Sequence, residues 1–186
     1  MHMIAPVLSY APGMLSAVAA SLFLGAVMTA GDFVWAYFDV RHSMWAGVAH
    51  GALMCLCLGG VVGVRARRPV PGLIAGPLVG VLAAAAFYAI APTLGYGAML
   101  PAWMLFWICF ALLQRFLLTE TLPRTLARGA VAAVLSGLAF YAISGIWTRP
   151  APGGPNYVVH FLSWTFAFVP GFVALFSGGS ARPRSL

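Results

Sequence analysis

The stretch Gly31-Asp-Phe-Val-Trp-Ala-Tyr-Phe-Asp-Val-Arg-His-Ser-Met-Trp-Ala-Gly-Val-Ala-His50 decides the fold, because it separates two long apolar runs and concentrates the few polar groups of the chain. It contains both aspartates and two of the four histidines. Asp32 lies well inside the first apolar run rather than beyond its end. A carboxylate inside a membrane helix is costly and usually functional, so we predict a functional site around Asp32.

A helical continuation of this stretch would place its polar residues in one stripe that a lipid headgroup or a partner could contact. Residues at intervals of three, four and three share one helix face; here they are Asp32, Trp35, Asp39 and His42. The alternative is an aromatic belt at the membrane interface, followed by a short loop whose charges face water. Its members would be Trp35, Tyr37, Phe38 and Trp45.

The composition is typical of a membrane protein. Of the 186 residues, 62% are hydrophobic and 7% are charged, whereas a soluble domain has about a quarter of its residues charged. All ten basic residues are arginines scattered in short loops, so nucleic-acid binding is not expected. No removable signal peptide is expected in the first thirty residues. Cys55, Cys57 and Cys109 fall in apolar runs, where we expect neither a disulfide nor a zinc site.

Six apolar segments of roughly twenty residues are each long enough to cross a bilayer core of about 30 Å. They lie at 12–34, 43–64, 71–91, 97–118, 127–147 and 157–177. The breaks between them are short, so sequential helices should lie antiparallel and adjacent. We therefore predict an all-α polytopic integral membrane protein, in which residues 1–186 form a single compact bundle of six transmembrane helices.

The arginines predict how the bundle is oriented. The loops after the second and fourth spans and the C-terminal tail carry eight of the ten, whereas the loops after the first and fifth spans carry Arg41 and Arg149 alone. Because cytoplasmic loops are enriched in basic residues, both termini are predicted to be cytoplasmic. Asp32 would then lie toward the opposite face.

Small residues are dense in the second, third and fifth spans, and we expect them to allow close helix packing. The alternative is that they floor a cleft for a lipid chain. Pro101 should open the fourth span and Pro170 should bend the sixth. The pentapeptide Ala-Phe-Tyr-Ala-Ile at 86–90 and 139–143 indicates either a parallel repeat, as found in transporters, or a chance identity.

The titratable residues of the chain offer little catalytic chemistry; they are Asp32, Asp39, Glu120, His2, His42, His50 and His160 besides the arginines, tyrosines and cysteines. No metal-ligand spacing or nucleophile motif accompanies them, so we do not expect an enzyme. His50 and His160 could bind a haem between helices or make polar contacts there. We interpret Gln114, Arg115 and Glu120 as a snorkelling arginine with a nearby acid rather than as a site.

Three regions carry a family resemblance. Ile146-Trp-Thr-Arg-Pro150, with Pro155-Asn-Tyr-Val-Val-His-Phe-Leu-Ser-Trp164 after it, leads into the sixth span, and Ser43-Met-Trp-Ala-Gly47 leads into the second. Residues Phe106–Ala133 combine an aromatic span, an arginine-containing loop and a small-residue span. Together with the six-span layout, these features resemble the Insig (insulin-induced gene) family of small membrane proteins, which has bacterial members. The family's acidic stretch after the third span has no equivalent at 91–101.

The resemblance implies a non-enzymatic bundle without a cofactor, whose intramembrane cleft holds a lipid, diacylglycerol-like in bacterial members and sterol-like in animals. It also implies the plasma membrane of a bacterium. Aromatic and polar groups at one interface would hold the polar end of that lipid. The lipid-binding residues that we predict are Asp32, Trp35, His42, Trp45, His50, Tyr157, His160 and Trp164.

Two other functions remain open from the sequence. The chain could be a small transporter or permease subunit in which Asp32 couples transport to protons. It could also be a haem-bearing or otherwise enzymatic bundle. Besides the lipid, a second copy of the chain is a predicted partner, because exposed small-residue faces would allow self-association.

Overall fold

The computed structural model describes residues 4–38, 43–118, 120–147 and 156–177, with side chains from residue 13 onward and up to 143 in the fifth helix. This part of the chain is all-helical, as predicted. Its elements are α1 (Ile4–Tyr37), α2 (Met44–Arg65), α3 (Pro69–Leu94), a 3-10 turn (Gly95–Ala98), α4 (Met99–Leu117), α5 (Leu122–Trp147) and α6 (Tyr157–Phe176).

The observed helix ends follow the predicted spans closely at all but two places. The first helix begins at Ile4 rather than at residue 12, and α5 begins at Leu122 rather than at 127. The early start of α5 has a physical reason, because Pro123 falls in the first turn, where a missing N–H leaves no helical hydrogen bond unmade. Pro101 lies in the first turn of α4, as expected.

Five helical stretches are apolar and long enough to cross a membrane, which supports the prediction of an integral membrane protein. They are Gly13–Tyr37, Met44–Arg65, Pro69–Leu117, Leu122–Ile143 and Tyr157–Phe176. The predicted number of six is not confirmed by length and composition, because α3, the 3-10 turn and α4 form one continuous stretch of 49 residues.

A glycine interrupts that long stretch. Gly95 has a φ of 53° and a ψ of −132°, a conformation that is accessible mainly to glycine. The chain changes direction there, and α3 and α4 pack against each other.

The six α-helices form a closed ring in which each contacts its neighbours in the sequence, and α1 also contacts α6. Neighbouring helices run antiparallel. In the α1–α6 pair, Gly13 lies against Phe176 and Gly25 lies against Thr165. One end of the bundle therefore carries the arginine-bearing end of α2, and Asp32 lies near the other end.

Glycines bring α2 and α3 into backbone contact. A Cβ atom built on Gly59 would lie 2.2 Å from the carbonyl oxygen of Gly72, and one built on Gly76 would lie 2.1 Å from that of Cys55. The prediction of close packing by small residues is confirmed here. The alternative, a lipid cleft floored by these glycines, does not fit, because the opposite backbone fills the space above them.

Aromatic side chains fill the space between α4, α5 and α6. The Trp103 ring stacks on Phe140 with ring centroids 4.8 Å apart, and its indole nitrogen donates a hydrogen bond to Ser136 Oγ at 3.0 Å. The Trp107 ring lies directly over Gly171, where any side chain would collide with it. Pro170 lies within α6, and the bend that we expect it to cause in this helix stays a prediction. The interior of this half of the bundle is therefore filled by aromatic side chains.

The two copies of the predicted repeat lie near the C-terminal ends of α3 and α5, which run in the same direction. Their surroundings differ. The Tyr88 hydroxyl rests on Gly47, whereas the Tyr141 hydroxyl donates to the carbonyl oxygen of Tyr96 at 3.3 Å. A common origin for the two copies remains a prediction.

Candidate functional site

The carboxylate of Asp32 is the centre of a polar cluster that joins α1 to α6. Its Oδ2 atom lies 2.8 Å from Nε2 of His160 and accepts a hydrogen bond from the indole nitrogen of Trp164, also at 2.8 Å. Hydrogen bonds to an ionised acceptor are shorter and stronger than neutral ones. The last helix of the chain therefore stabilises the one acidic side chain described in the first.

The second carboxylate oxygen faces α2. Nε2 of His50 lies 3.7 Å from Asp32 Oδ1, and the indole nitrogen of Trp35 donates a hydrogen bond to Nδ1 of the same imidazole. Because a neutral histidine carries one proton, an Nδ1 that accepts leaves the proton on Nε2. The N–H of His50 is thus directed toward Asp32 Oδ1, at a distance too long for a direct hydrogen bond. We call Asp32, Trp35, His50, His160 and Trp164 the Asp32 cluster.

Local structure explains why these side chains converge. Residues three and four positions apart share a helix face, which aligns Asp32 with Trp35 and His160 with Trp164. Two caps fix where the partner helices begin. Ser43 Oγ accepts from the Ala46 N–H at 3.3 Å at the start of α2, and Asn156 Oδ1 accepts from the Val159 N–H at 3.0 Å at the start of α6.

The cluster is partly accessible. Exposed fractions are 29% for the Asp32 side chain, 24% for His50 and 14% for His160. Trp164 is buried, and its ring stacks on Trp103 with centroids 6.2 Å apart, which holds the indole N–H in the direction of the carboxylate. One side of the cluster is thus anchored in the aromatic interior, while the other is open.

Gly31 makes room for the imidazole of His50. A Cβ atom at this position would lie 3.3 Å from His50 Cε1, which is closer than most real contacts. No sequence pattern singles out Gly31, because a glycine in an apolar helix has many ordinary roles. Sequence patterns do not point to Trp103 either, because it contacts Trp164 and not Asp32.

Two other predicted lipid-binding residues, Trp45 and Tyr157, lie outside the cluster. The side chains of Trp45 and Tyr157 are 74% and 57% exposed, and the Tyr157 ring lies 4.2 Å from the ring of Phe33. His42 and Asp39 fall outside the described residues. Five of the eight predicted residues therefore come together, two face outward at the same end of the bundle, and one is not among the described residues.

The contact between α1 and α2 is sparse compared with the glycine contact of α2 with α3 or the long α1–α6 interface. The Trp35–His50 hydrogen bond crosses this sparse contact. Nearby apolar side chains are exposed on both helices, including Val34 at 53% and Leu53 at 59%. Leu53 follows His50 by three residues on the same face of α2, so an exposed apolar side chain lies beside the α2 side of the Asp32 cluster.

The cluster is poorly arranged for a haem. Axial ligation uses one ring nitrogen of each of two histidines on opposite sides of the iron. Here Nε2 of His50 and Nε2 of His160 both face the same carboxylate, and Nδ1 of His50 is taken by Trp35. Within the described ranges, no three His, Cys, Asp or Glu side chains are grouped so as to hold a metal ion.

The arginine-bearing end holds a separate ion-pair group. Glu120, whose side chain is 9% exposed, pairs with Arg128 and, at 3.8 Å, with Arg124. Gln114 donates from Nε2 to the carbonyl oxygen of Leu175 at 3.0 Å. The acid near Arg115 thus pairs with other arginines, and Glu120 stabilises the start of α5.

No family model matches this chain, and no curated protein or solved structure is found to match it. The resemblance to the Insig family therefore stays a prediction from the sequence.

Proposed function

We propose that this chain is a non-enzymatic lipid-binding membrane protein, in which the Asp32 cluster binds the hydroxyl end of a neutral, diacylglycerol- or sterol-like lipid. The observation that carries the proposal is the pair formed by Asp32 Oδ1 and His50 Nε2, 3.7 Å apart and not bonded to each other. One atom accepts hydrogen bonds, and the other donates in the tautomer fixed by Trp35.

A hydroxyl group satisfies both atoms at once. Its oxygen can lie about 2.8 Å from each of them, a hydrogen-bond distance that is compatible with their separation of 3.7 Å. The hydroxyl then donates to Asp32 Oδ1 and accepts from His50 Nε2. An ester or ether oxygen can only accept, so it leaves the carboxylate oxygen without a donor, which is unfavourable in a water-poor site.

The rest of the lipid would lie along the outer surface of α2 next to His50. Exposed Leu53, one helical turn from His50, offers an apolar surface there, and exposed Trp45 and Tyr157 at the same end suit the boundary between headgroups and acyl chains. The Insig resemblance and the absence of a catalytic motif in the sequence support the same function.

The membrane topology belongs to this proposal. We infer six crossings, because a helical stretch of 49 residues is far longer than the roughly twenty residues that one crossing needs, and Gly95 offers the turn. The arginine end would face the cytoplasm and the Asp32 cluster the opposite side of a bacterial plasma membrane.

Native mass spectrometry of the purified protein with matched lipids tests this function. We expect stoichiometric binding of a 1,2-diacylglycerol and at least about tenfold weaker binding of the same lipid with its hydroxyl acetylated, as the loss of the hydrogen bond to the Asp32 carboxylate predicts. A His50→Phe variant should lose this preference. Tyr157→Phe, which removes an exposed hydroxyl at the same end, should keep it.

Equal binding of the alcohol and its acetate would exclude a hydroxyl-specific site. The same experiment with a sterol and its methyl ether distinguishes a preference for sterols from one for glycerolipids, because both pairs differ only at the hydroxyl.

A second function is favoured by one observation, namely that two imidazoles from α2 and α6 share a single intramembrane carboxylate. Such groups are typical of proton relays in transporters. A proton-coupled transporter would show substrate-dependent proton movement in liposomes that is lost in Asp32→Asn. Lipid binding without any proton movement would exclude the transporter and leave lipid binding as the proposed function.

A further inference from the structure

The arginine-bearing end of the bundle has an excess of positive charge. Glu120 is the only carboxylate side chain at this end within the described residues. It forms ion pairs with Arg128 and Arg124. Four other arginines of this end form no salt bridge in the described part of the chain; they are Arg65, Arg67, Arg68 and Arg115. Basic residues at a membrane boundary attract anions. We therefore expect these four arginines to bind one.

Contacts between three helices bring two of these arginines to the same region. The Arg65 guanidinium lies over the ring of Phe176, 5.5 Å from its centroid. Gln114 binds the carbonyl oxygen of the preceding residue, Leu175, which joins the end of α4 to the end of α6. Arg115 follows directly, and its Nε atom is buried without a hydrogen-bond partner. The ends of α2, α4 and α6 thus meet around Phe176.

The turn between α2 and α3 is fixed in place. Ala66 is buried, and the backbone N–H of Arg68 donates to the carbonyl oxygen of Gly63 at 2.7 Å. Arg67 has a φ of 58°, in the left-handed region that is unfavourable for residues other than glycine. The glycine contact between the two helices holds this turn, so its arginines are presented by a rigid backbone.

Exposed apolar side chains accompany these arginines at the ends of α2 and α4 and at the start of α3. Val64, Val70 and Phe116 are exposed to 66%, 62% and 60%. Each of them is next to an arginine, or two residues from one, in the sequence. An anion that fits this surface has a charged group attached to hydrocarbon chains.

We propose that the Arg65–Arg68 turn and Arg115 form a binding site for the phosphate of an anionic phospholipid, whose acyl chains lie against Val64, Val70 and Phe116. Guanidinium groups bind phosphate oxygens in a bidentate manner. The site is separate from the Asp32 cluster, at the opposite end of the bundle, and its ligand is charged rather than neutral. The apolar flanks favour a phospholipid over free phosphate, which has the same binding chemistry.

The test is native mass spectrometry with phosphatidylglycerol and phosphatidylcholine of identical acyl chains. Near a membrane surface each arginine contributes about fivefold in affinity for an anionic lipid. We therefore expect wild-type protein to prefer phosphatidylglycerol, and the double variant Arg65→Gln/Arg115→Gln to bind it about twenty-five-fold more weakly. Arg124→Gln is the matched control, since Arg124 is 64% exposed and pairs with Glu120.

Three results would overturn the proposal. One is an equal loss in the double variant and in Arg124→Gln, which would indicate nonspecific surface charge. Another is displacement of phosphatidylglycerol by millimolar inorganic phosphate, which would indicate a site for free anions. The third is an absence of lipid preference in the wild-type protein, a measurement that does not depend on whether any variant folds.

Discussion

The indole nitrogen of Trp35 donates a hydrogen bond to Nδ1 of His50, and this contact determines which atom of the imidazole faces Asp32. Without it, either ring nitrogen could carry the proton. With it, the proton is on Nε2, and the open side of the cluster pairs a donor with an acceptor. The same hydrogen bond links α1 to α2 where the two helices otherwise touch little.

A double-mutant cycle measures this link. Trp35→Phe and His50→Phe each remove one partner, and we expect a coupling energy of about 1 kcal/mol, as for a single neutral hydrogen bond. Unfolding in mixed micelles, followed for the two single variants and the double variant, gives this energy. Strictly additive effects would mean that the two rings do not interact.

Trp164→Phe should destabilise the bundle by about 2 kcal/mol, because it removes a hydrogen bond to a charged acceptor while keeping an aromatic ring. Trp107→Phe is the comparison. The Nε1 atom of Trp107 is buried without a partner, so its removal eliminates an unsatisfied donor and should cost less than about 1 kcal/mol. A larger loss in Trp107→Phe than in Trp164→Phe would contradict the arrangement around Asp32.

Gly59→Ala should separate α2 from α3, since its methyl group would lie 2.2 Å from the Gly72 carbonyl oxygen. Overpacking of this kind typically costs about 1–3 kcal/mol. In Gly60→Ala the new methyl group meets only the end of the Leu73 side chain, at 3.1 Å, so we expect little change. Unfolding of the two variants side by side checks this contrast, and equal stability would show that the helices do not touch at Gly59.

Glu120→Gln should destabilise the protein by about 2 kcal/mol, because it removes a charge-assisted hydrogen bond from the guanidinium of Arg128, which is only 15% exposed. Arg124→Gln should change the stability by less than about 1 kcal/mol, as is usual for an exposed ion pair. The measurement is thermal unfolding in detergent at low ionic strength. A neutral Glu120→Gln variant would show that water screens this ion pair.

The positions of the helices could be predicted from the sequence because arginines, prolines and glycines interrupt the apolar runs. The choice of Asp32 as a site residue, and the shared face of His160 and Trp164, followed from their spacing and from the rarity of carboxylates in such runs. The contacts between sequential helices followed from the short loops, but the contact of α1 with α6 and the inward face of each helix could not be read in the same way. The spans are apolar on nearly every side, so periodicity does not reveal the face that turns inward.

The pairing of α1 with α6 illustrates this limit. It rests on the fit of Gly25 to Thr165 and of Gly13 to Phe176, which depends on shape rather than on polarity. The number of spans could not be settled for a different reason. Hydropathy alone merges α3 and α4 into one stretch, and the turn between them depends on the backbone conformation of Gly95.

The contact between the first and last helices also sets an order of events during synthesis. His160 and Trp164 follow Asp32 by 128 and 132 residues, which at about 5–20 residues per second takes the ribosome roughly 6 to 26 s. Throughout that interval the newly inserted α1 carries a carboxylate that lacks its two closest donors. A chain truncated before α6 would keep that carboxylate without these two donors permanently, so its first helix should be less stable in the membrane than that of the complete bundle.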